Sequence, residues 1–298
     1  MRGGNVMTVK MGDVVGRLSY KCDLLFRVLT IEKGVVTLVG EEMRLLADAP
    51  IDDLKVMSLQ EREEDKNKVK EQEDASYRLF RQDAKLMKRR QDYQTHAGYE
   101  DTSHFFELRG RVLHIDGDAN YLDRCTDIYN KLGVPVYGVH LEEKEMPAQL
   151  ASLMEMVQPD ILVVTGHDAY SKAKGNRNDL KAYRHTKYFA ECVRIARNHT
   201  KDLDRLLIFA GACQSHFETL IRAGANFASS PDRVNIHALD PVYIAAKLSR
   251  TSFADTVNLW DVIRNTITGQ KGLGGIETKG CMRLGLPYKE AYSDDAND

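Results

Sequence analysis

Asp160-Ile161-Leu162-Val163-Val164-Thr165-Gly166-His167 follows Pro159 and holds an apolar, largely β-branched run of strand length. A run apolar on both faces reads as a central strand of a parallel sheet. Upstream, Arg111 to Ile115 is a strand ending in Asp116-Gly117-Asp118. A helix follows with Leu122, Cys125, Ile128, Tyr129 and Leu132 on one face, stopped by Gly133. Val134 to Val139 is a second strand, and Leu150, Leu153 and Val157 line a helix closed by Gln158-Pro159. Downstream, the pattern predicts a helix from about Asp179 to Asn198, a strand at Leu206 to Gly211, and a helix from Cys213 to Gly224. A strand around Val234 to Leu239 comes next. Helices at about Pro241 to Leu248 and Ala254 to Thr268 follow, the last with Ser252 as N-cap. Strand and helix thus alternate across residues 105–291, the signature of an α/β domain with a mostly parallel sheet flanked by helices.

The flanks read differently. Residues 1–59 hold short β-like runs (Val14-Val15, Leu24 to Ile31, Val35 to Val39) broken by Gly12, Gly34 and Gly40. Glu32-Lys33-Gly34 reads as a hairpin turn. Four or five strands in so short a span suggest a small SH3-like β domain. Its charges balance, eight basic against eight acidic in residues 1–57, so it is expected to be an interaction module. Residues 60–104 form a charged connector: residues 59–92 carry ten basic and nine acidic side chains and neither Gly nor Pro. A solvated helix with i,i+4 pairs is expected there, fraying from Arg89 through Gly98. Residues 292–298 read as a disordered acidic tail.

Composition narrows the function. With 298 residues, 43% hydrophobic and 29% charged, the chain buries a core and has room for more than one domain. Forty-two basic against forty-four acidic residues leave a net charge of −2, which excludes nucleic-acid binding by bulk charge. No run approaches the roughly 18–20 apolar residues of a membrane span, and Met1-Arg2-Gly3-Gly4-Asn5 has no apolar segment behind it to make a signal peptide. Five cysteines, an odd number without a C-x-x-C pair, fit reduced thiols. A soluble intracellular, cytoplasmic protein is expected.

In an open α/β sheet the chemistry collects at the carboxyl ends of the strands. Those ends are Asp116-Gly117-Asp118, Thr165-Gly166-His167-Asp168 and Gly211-Ala212-Cys213-Gln214. A lone strand-end cysteine is most often a small buried residue, and a lone histidine a hydrogen-bonded polar group. On neighbouring strands, 46 positions apart, they make a thiol nucleophile and its proton carrier. Cys22, Cys125, Cys192 and Cys281 read as packing residues. His185, His199 and His216 read as surface or helix-face residues. No histidine pair has metal-site spacing, and H-E-x-x-H, G-x-S-x-G and Walker-type loops are absent. No metal or cofactor is expected.

The pair Ile161 to His167 and Leu206-Leu207-Ile208-Phe209-Ala210-Gly211-Ala212-Cys213 resembles the caspase, legumain and gingipain cysteine peptidases. In that pattern a glycine follows the histidine; here Gly166 precedes it and Asp168 follows. Longer motifs resemble the YabG family of sporulation-specific peptidases. They are Gly12 to Arg17, His114 to Asp118, Val163 to Tyr170, Gly211 to Glu218 and Asn235 to Pro241, and they span nearly the whole chain. The resemblance implies a caspase-like fold with Cys213 as nucleophile and His167 as general acid/base. Gly166, Asp168 and Gln214 would be supporting or oxyanion residues. It implies cleavage after arginine, which needs a carboxylate in the pocket; Asp116, Asp118, Asp168 and Asp240 are the candidates. It further implies a mother-cell protein associated with the forming coat, with spore coat proteins and germination-protein precursors as substrates and no nucleic-acid or membrane partner. Self-cleavage is expected in the connector, at Arg89 or Arg90 most readily. A receiver-like signalling module is the rival, but Thr165-Gly166 stands where its phosphoacceptor aspartate would be. A non-catalytic spore-coat scaffold is the other alternative.

Overall fold

The structure is a computed structural model that describes residues 9–96 and 106–285, with side chains 90–96 left aside. The N-terminal module is one antiparallel sheet of β1 (Val14–Arg17), β2 (Leu25–Glu32), β3 (Val35–Gly40), β4 (Leu46–Pro50) and β5 (Leu54–Val56), ordered β4-β3-β2-β1-β5. Lys33 and Gly34 join β2 to β3 with φ of 49° and 81°. Two consecutive left-handed residues make the two-residue turn whose twist matches that of the strands. Phe26, Val28, Val36, Leu38 and Ala49 fill the inner face. Among the described residues no pairing joins β4 to β5, so the sheet is open.

Helix α1 (Leu59–His96) begins in a capping box: Glu61 N–H donates to Ser58 Oγ at 3.3 Å, and Ser58 N–H to the Glu61 carboxylate at 2.9 Å. The expected solvated connector is helical, but it is also docked. Phe80 is buried against Tyr243 in the α/β core. Buried Asp83 accepts from Arg264 Nε and Asn265 Nδ2, both at 3.0 Å. Three apolar or neutral positions, Tyr77, Phe80 and Ala84, sit three or four residues apart and so share one face. The connector beyond His96 and the acidic tail lie outside the described residues.

The second module runs β6 (Phe106–Leu108), β7 (Val112–Asp116), α2 (Ala119–Leu132), β8 (Val136–His140), α3 (Met146–Val157), β9 (Ile161–Thr165), α4 (Thr186–His199), β10 (Leu207–Ala210), α5 (Phe217–Ala223), β11 (Phe227–Ser229), α6 (Asp240–Arg250), β12 (Thr256–Val257), α7 (Leu259–Ile263), β13 (Leu273–Gly275), β14 (Thr278–Lys279) and β15 (Arg283–Gly285). Its main sheet has the order β13-β11-β10-β9-β7-β8, parallel throughout except for β13 at one edge. Every residue of β9 is buried. Ile161, Val163, Leu207 and Phe209 pack with α2 and α6, while Leu162, Val164, Ile208 and Ala210 pack with α3, α4 and α5. Period-2 alternation between two apolar layers explains why these strands read as continuously hydrophobic.

Several elements differ from the sequence reading, and the helix expected from Cys213 begins only at Phe217, which leaves the thiol in the loop before it. Val234 to Leu239 is not a strand of the sheet; β11, which was not foreseen, takes that place. The backbone of residues 236–238 pairs instead with residues 42–44 of the N-terminal module. The helix from Asp179 starts only at Thr186, because Asp179 caps a separate short turn, Leu180–Ala182. The helix at Ala254 to Thr268 shrinks to α7, capped by Asn258 at 2.8 Å, while Ser252 Oγ accepts from Ala254 N–H in a turn.

Because Phe80 fills the core from α1, Phe80→Ala should destabilise the protein by about 3–5 kcal/mol. Denaturant unfolding checks this. A loss under about 1 kcal/mol, as for an exposed helix residue, would show that the helix is not docked in solution.

Candidate active site

Strands β7, β9 and β10 are neighbours, so the three strand ends converge. Asp116 pairs in register with Thr165, and Val164 with Ala210. Cys213 lies past the end of β10, fully buried. Its Sγ accepts from Ile236 N–H at 3.1 Å and lies 3.5 Å from the Ile236 carbonyl. Burial pushes this thiol well above its ordinary value.

His167 follows β9 and is also buried. Its backbone N–H donates to Glu143 Oε1 at 2.8 Å. Its ring lies between two carboxylates, with Nδ1 3.7 Å from Glu143 and Nε2 3.5 Å from Asp118. Among the described residues the buried Nε2 has no hydrogen-bond partner, and no direct hydrogen bond joins it to Cys213. The two loops meet instead on a single oxygen. The carbonyl of Arg44 accepts from Cys213 N–H at 3.1 Å and from Asp168 N–H at 3.3 Å.

Glu143 escaped the sequence reading. It stands three residues past the end of β8, within Glu142-Glu143-Lys144-Glu145, which reads as a solvated charged turn. Burial would raise its carboxyl, but the His167 backbone N–H and the rings of His167 and His185, 3.7 and 3.6 Å away, hold it well below the usual range. Gly117 and Gly166 leave the space it occupies, since a Cβ at either would strike its carboxylate. The strand-end rule, applied to β8 as well, would have pointed to it.

The four aspartates separate cleanly. Asp168 is buried and accepts from Ala169 N–H at 2.9 Å, His185 N–H at 2.8 Å, Ser215 Oγ at 2.9 Å and the Thr186 hydroxyl. Asp240 accepts from His237 N–H at 3.1 Å, Ile267 N–H at 2.7 Å and the Thr268 hydroxyl, and burial pushes it up to about 6. Both tie together loops and helix starts of the α/β domain. Asp118 caps α2, accepting from Tyr121 N–H at 3.0 Å. Asp116 alone holds a guanidinium, that of Arg44, at 2.9 Å, with both side chains wholly buried. Burial would raise Asp116, but Arg44 and His114 bring it down to about 2.

Arg44 is the second residue the sequence reading missed. Its Nε and Nη2 donate to the Ala238 carbonyl at 3.1 and 2.7 Å, and Nη2 lies 3.5 Å from Cys125 Sγ. The Tyr121 ring lies 5.1 Å from the guanidinium carbon, within cation–π range. Gln214, in a left-handed conformation, accepts from Tyr170 N–H at 3.1 Å and donates to Asn235 at 3.1 Å, bracing the Cys213 loop from below.

Other expectations need adjusting. His185 and His216 are not surface residues. His185 is half-buried, its Nδ1 2.7 Å from the His167 carbonyl, and buried His216 caps α5. Cys125 and Cys192 are buried as expected. Arg89 is exposed on α1, and the Arg90 side chain lies outside the described residues. Two groups could offer metal ligands, His114-Asp116-Cys125 and Glu42-Glu73-His237. A cation already serves each: Arg44 in the first, and in the second Arg124, 2.6 Å from both glutamates. Among the described residues no helix is long and apolar enough to cross a membrane.

No solved structure matches the chain. A family model described as YabG peptidase U57 matches residues 10–287. The Sporulation-specific protease YabG of Bacillus subtilis (strain 168) is 53% identical over 288 residues, covering 95% of this chain and 99% of the relative. The chain belongs to the YabG peptidase family.

Proposed function

We propose that the protein is a cysteine endopeptidase that cuts after arginine, with Cys213 as nucleophile and His167 as general acid/base. The observation that carries this reading is the environment of one peptide group. Its carbonyl oxygen rests on the N–H groups of Cys213 and Asp168, and its arginine side chain reaches the buried Asp116. Two convergent N–H donors are what a developing oxyanion requires. A buried carboxylate with a carbonyl beside it is what a guanidinium requires.

In the reaction, His167 takes the Cys213 proton as sulfur attacks the scissile carbonyl, and the tetrahedral oxyanion gathers on the two N–H groups. The imidazolium then gives its proton to the departing amine, and water hydrolyses the thioester. Glu143, close to Nδ1 of His167 and bonded to its backbone N–H, would orient the ring and stabilise the imidazolium. It is thus a positioning residue. The curated relative is named a sporulation-specific protease. We extend that role to this chain, with spore coat proteins and germination-protein precursors as substrates in the mother cell, at the forming coat.

Cys213→Ala and His167→Ala should each abolish proteolysis of arginine-containing test proteins while leaving the fold intact. The double variant should be hardly worse than either single one, because such groups act as a unit. Sequencing of new N-termini checks both activity and site; losses that multiply in the double variant would break the dyad.

Asp116→Asn should remove about 2–4 kcal/mol of transition-state binding for arginine substrates, read as a fall in kcat/KM. Asp168→Asn and Asp240→Asn should act on stability and leave the preference for arginine in place. Unaltered arginine cleavage by Asp116→Asn would exclude Asp116 as the selectivity residue.

Glu143→Gln keeps an acceptor for His167 N–H and loses the charge. It should lower kcat by about 100-fold with KM little changed and the melting temperature close to wild type. A loss confined to stability would make Glu143 purely structural.

A further inference from the structure

The segment Glu42-Met43-Arg44-Leu45, which joins β3 to β4, lies in the cleft as a peptide substrate would. Arg44 N–H donates to the Ile236 carbonyl at 3.2 Å, and Ala238 N–H donates to the Glu42 carbonyl at 2.9 Å, so residues 42–44 run antiparallel to 236–238. On the other side Leu46 N–H donates to the Asp168 carbonyl at 3.4 Å, so residue 45 runs parallel to 168. The chain is thus clamped on both sides of the Arg44 carbonyl. That carbonyl sits on the N–H groups of Cys213 and Asp168, and the Arg44 side chain is fully buried on Asp116.

We infer that the Arg44–Leu45 peptide bond is an internal substrate of this enzyme, cut within the same molecule. The inference rests on the reading of Cys213 and His167 as the peptidase centre. The Cys213 sulfur, its proton taken by His167, bonds to the Arg44 carbonyl carbon. The bond from that carbon to the Leu45 nitrogen breaks, and the nitrogen leaves with the proton from His167. Water then splits the thioester, which restores the thiol and leaves a carboxylate at Arg44 and a free amine at Leu45.

Three observations favour this bond over those in the connector. Residues 42–45 are already paired at both edges of the cleft, with Leu45 N–H turned back on the Met43 carbonyl at 2.7 Å, whereas Arg89 lies in α1 and would first have to unwind. The Arg44 side chain already occupies the only buried carboxylate among the candidates that holds a guanidinium. The loop is also anchored from the α/β domain, since the Tyr121 hydroxyl donates to the Met43 carbonyl at 3.1 Å and to the Gly40 carbonyl. Tethering makes the encounter intramolecular, so no second molecule is needed. While the segment stays in place, Cys213 and His167 are both covered, and the folded chain is closed to other proteins.

The test uses the full-length chain, denatured after incubation so that fragments held together by β3–β4 pairing separate. Intact mass and N-terminal sequencing of the wild type should find a fragment ending at Arg44 and another beginning at Leu45, with a rate unchanged over a hundredfold dilution. Cys213→Ala should stay whole, alone or mixed as a tagged bystander with active wild type. A wild-type chain that cuts an arginine-containing test protein yet keeps its Arg44–Leu45 bond would overturn the inference and leave the peptidase reading standing. A bystander cut at Arg44 as fast as the wild type would overturn cleavage within one molecule. Wild type that cuts neither itself nor the test protein would overturn the inference together with the reading beneath it.

Discussion

The ion pair between Arg44 and Asp116 joins the two modules at the point where a mistake would be most costly. Both side chains are withdrawn entirely from water. Each ion alone would bear a desolvation penalty of several kcal/mol, which their mutual attraction offsets only if the remaining donors and acceptors are also satisfied. They are satisfied here. The guanidinium shares the Ala238 carbonyl between two nitrogens, and the Asp116 carboxylate also receives Asp118 N–H at 3.0 Å and faces His114 at 3.3 Å. The apolar interior follows the same path. Val15, Phe26, Leu38 and Leu45 of the β module share one cluster with Ala169, Cys213 and Ile236 of the α/β domain. Withdrawing the loop would leave a buried carboxylate uncompensated and open an apolar seam, so the closed arrangement is held by charge and by packing together.

The sequence was most legible where local pattern and global fold agree. Ile161 to Thr165 and Leu206 to Gly211 read as central strands because burial on both faces demands continuous apolar residues. The strand-end rule then led to His167, Cys213 and Asp116. It failed where long-range contacts decide. Val234 to Leu239 has strand-like composition, but its edge is taken by residues 42–44, nearly two hundred positions earlier, and it never joins the sheet. Glu143 sits in an acidic run indistinguishable in sequence from a solvated one. Arg44 belongs to a module of balanced charge, and nothing local marks it as a wholly buried cation.

The proposed oxyanion site shows how a departure from a familiar pattern is absorbed. Peptidases of the caspase and legumain kind place glycine after the histidine, where a bare backbone N–H can face the substrate carbonyl. This chain has Asp168 there, a residue with a side chain to house. Its N–H still points at the Arg44 carbonyl, and its φ is not left-handed, so no glycine is needed. The side chain turns the other way and accepts four donors, from Ala169, His185, Thr186 and Ser215. Those bonds fix the direction of the peptide unit more firmly than glycine could. They also tie the His167 loop to the start of α4 and to the loop after Cys213, since Ser215 lies two residues beyond the thiol. One carboxylate therefore sets the spacing between the two N–H donors and between the two strand ends that carry His167 and Cys213. Glycine remains where space is the constraint, at Gly117 and Gly166, because the Glu143 carboxylate passes there on its way to the histidine.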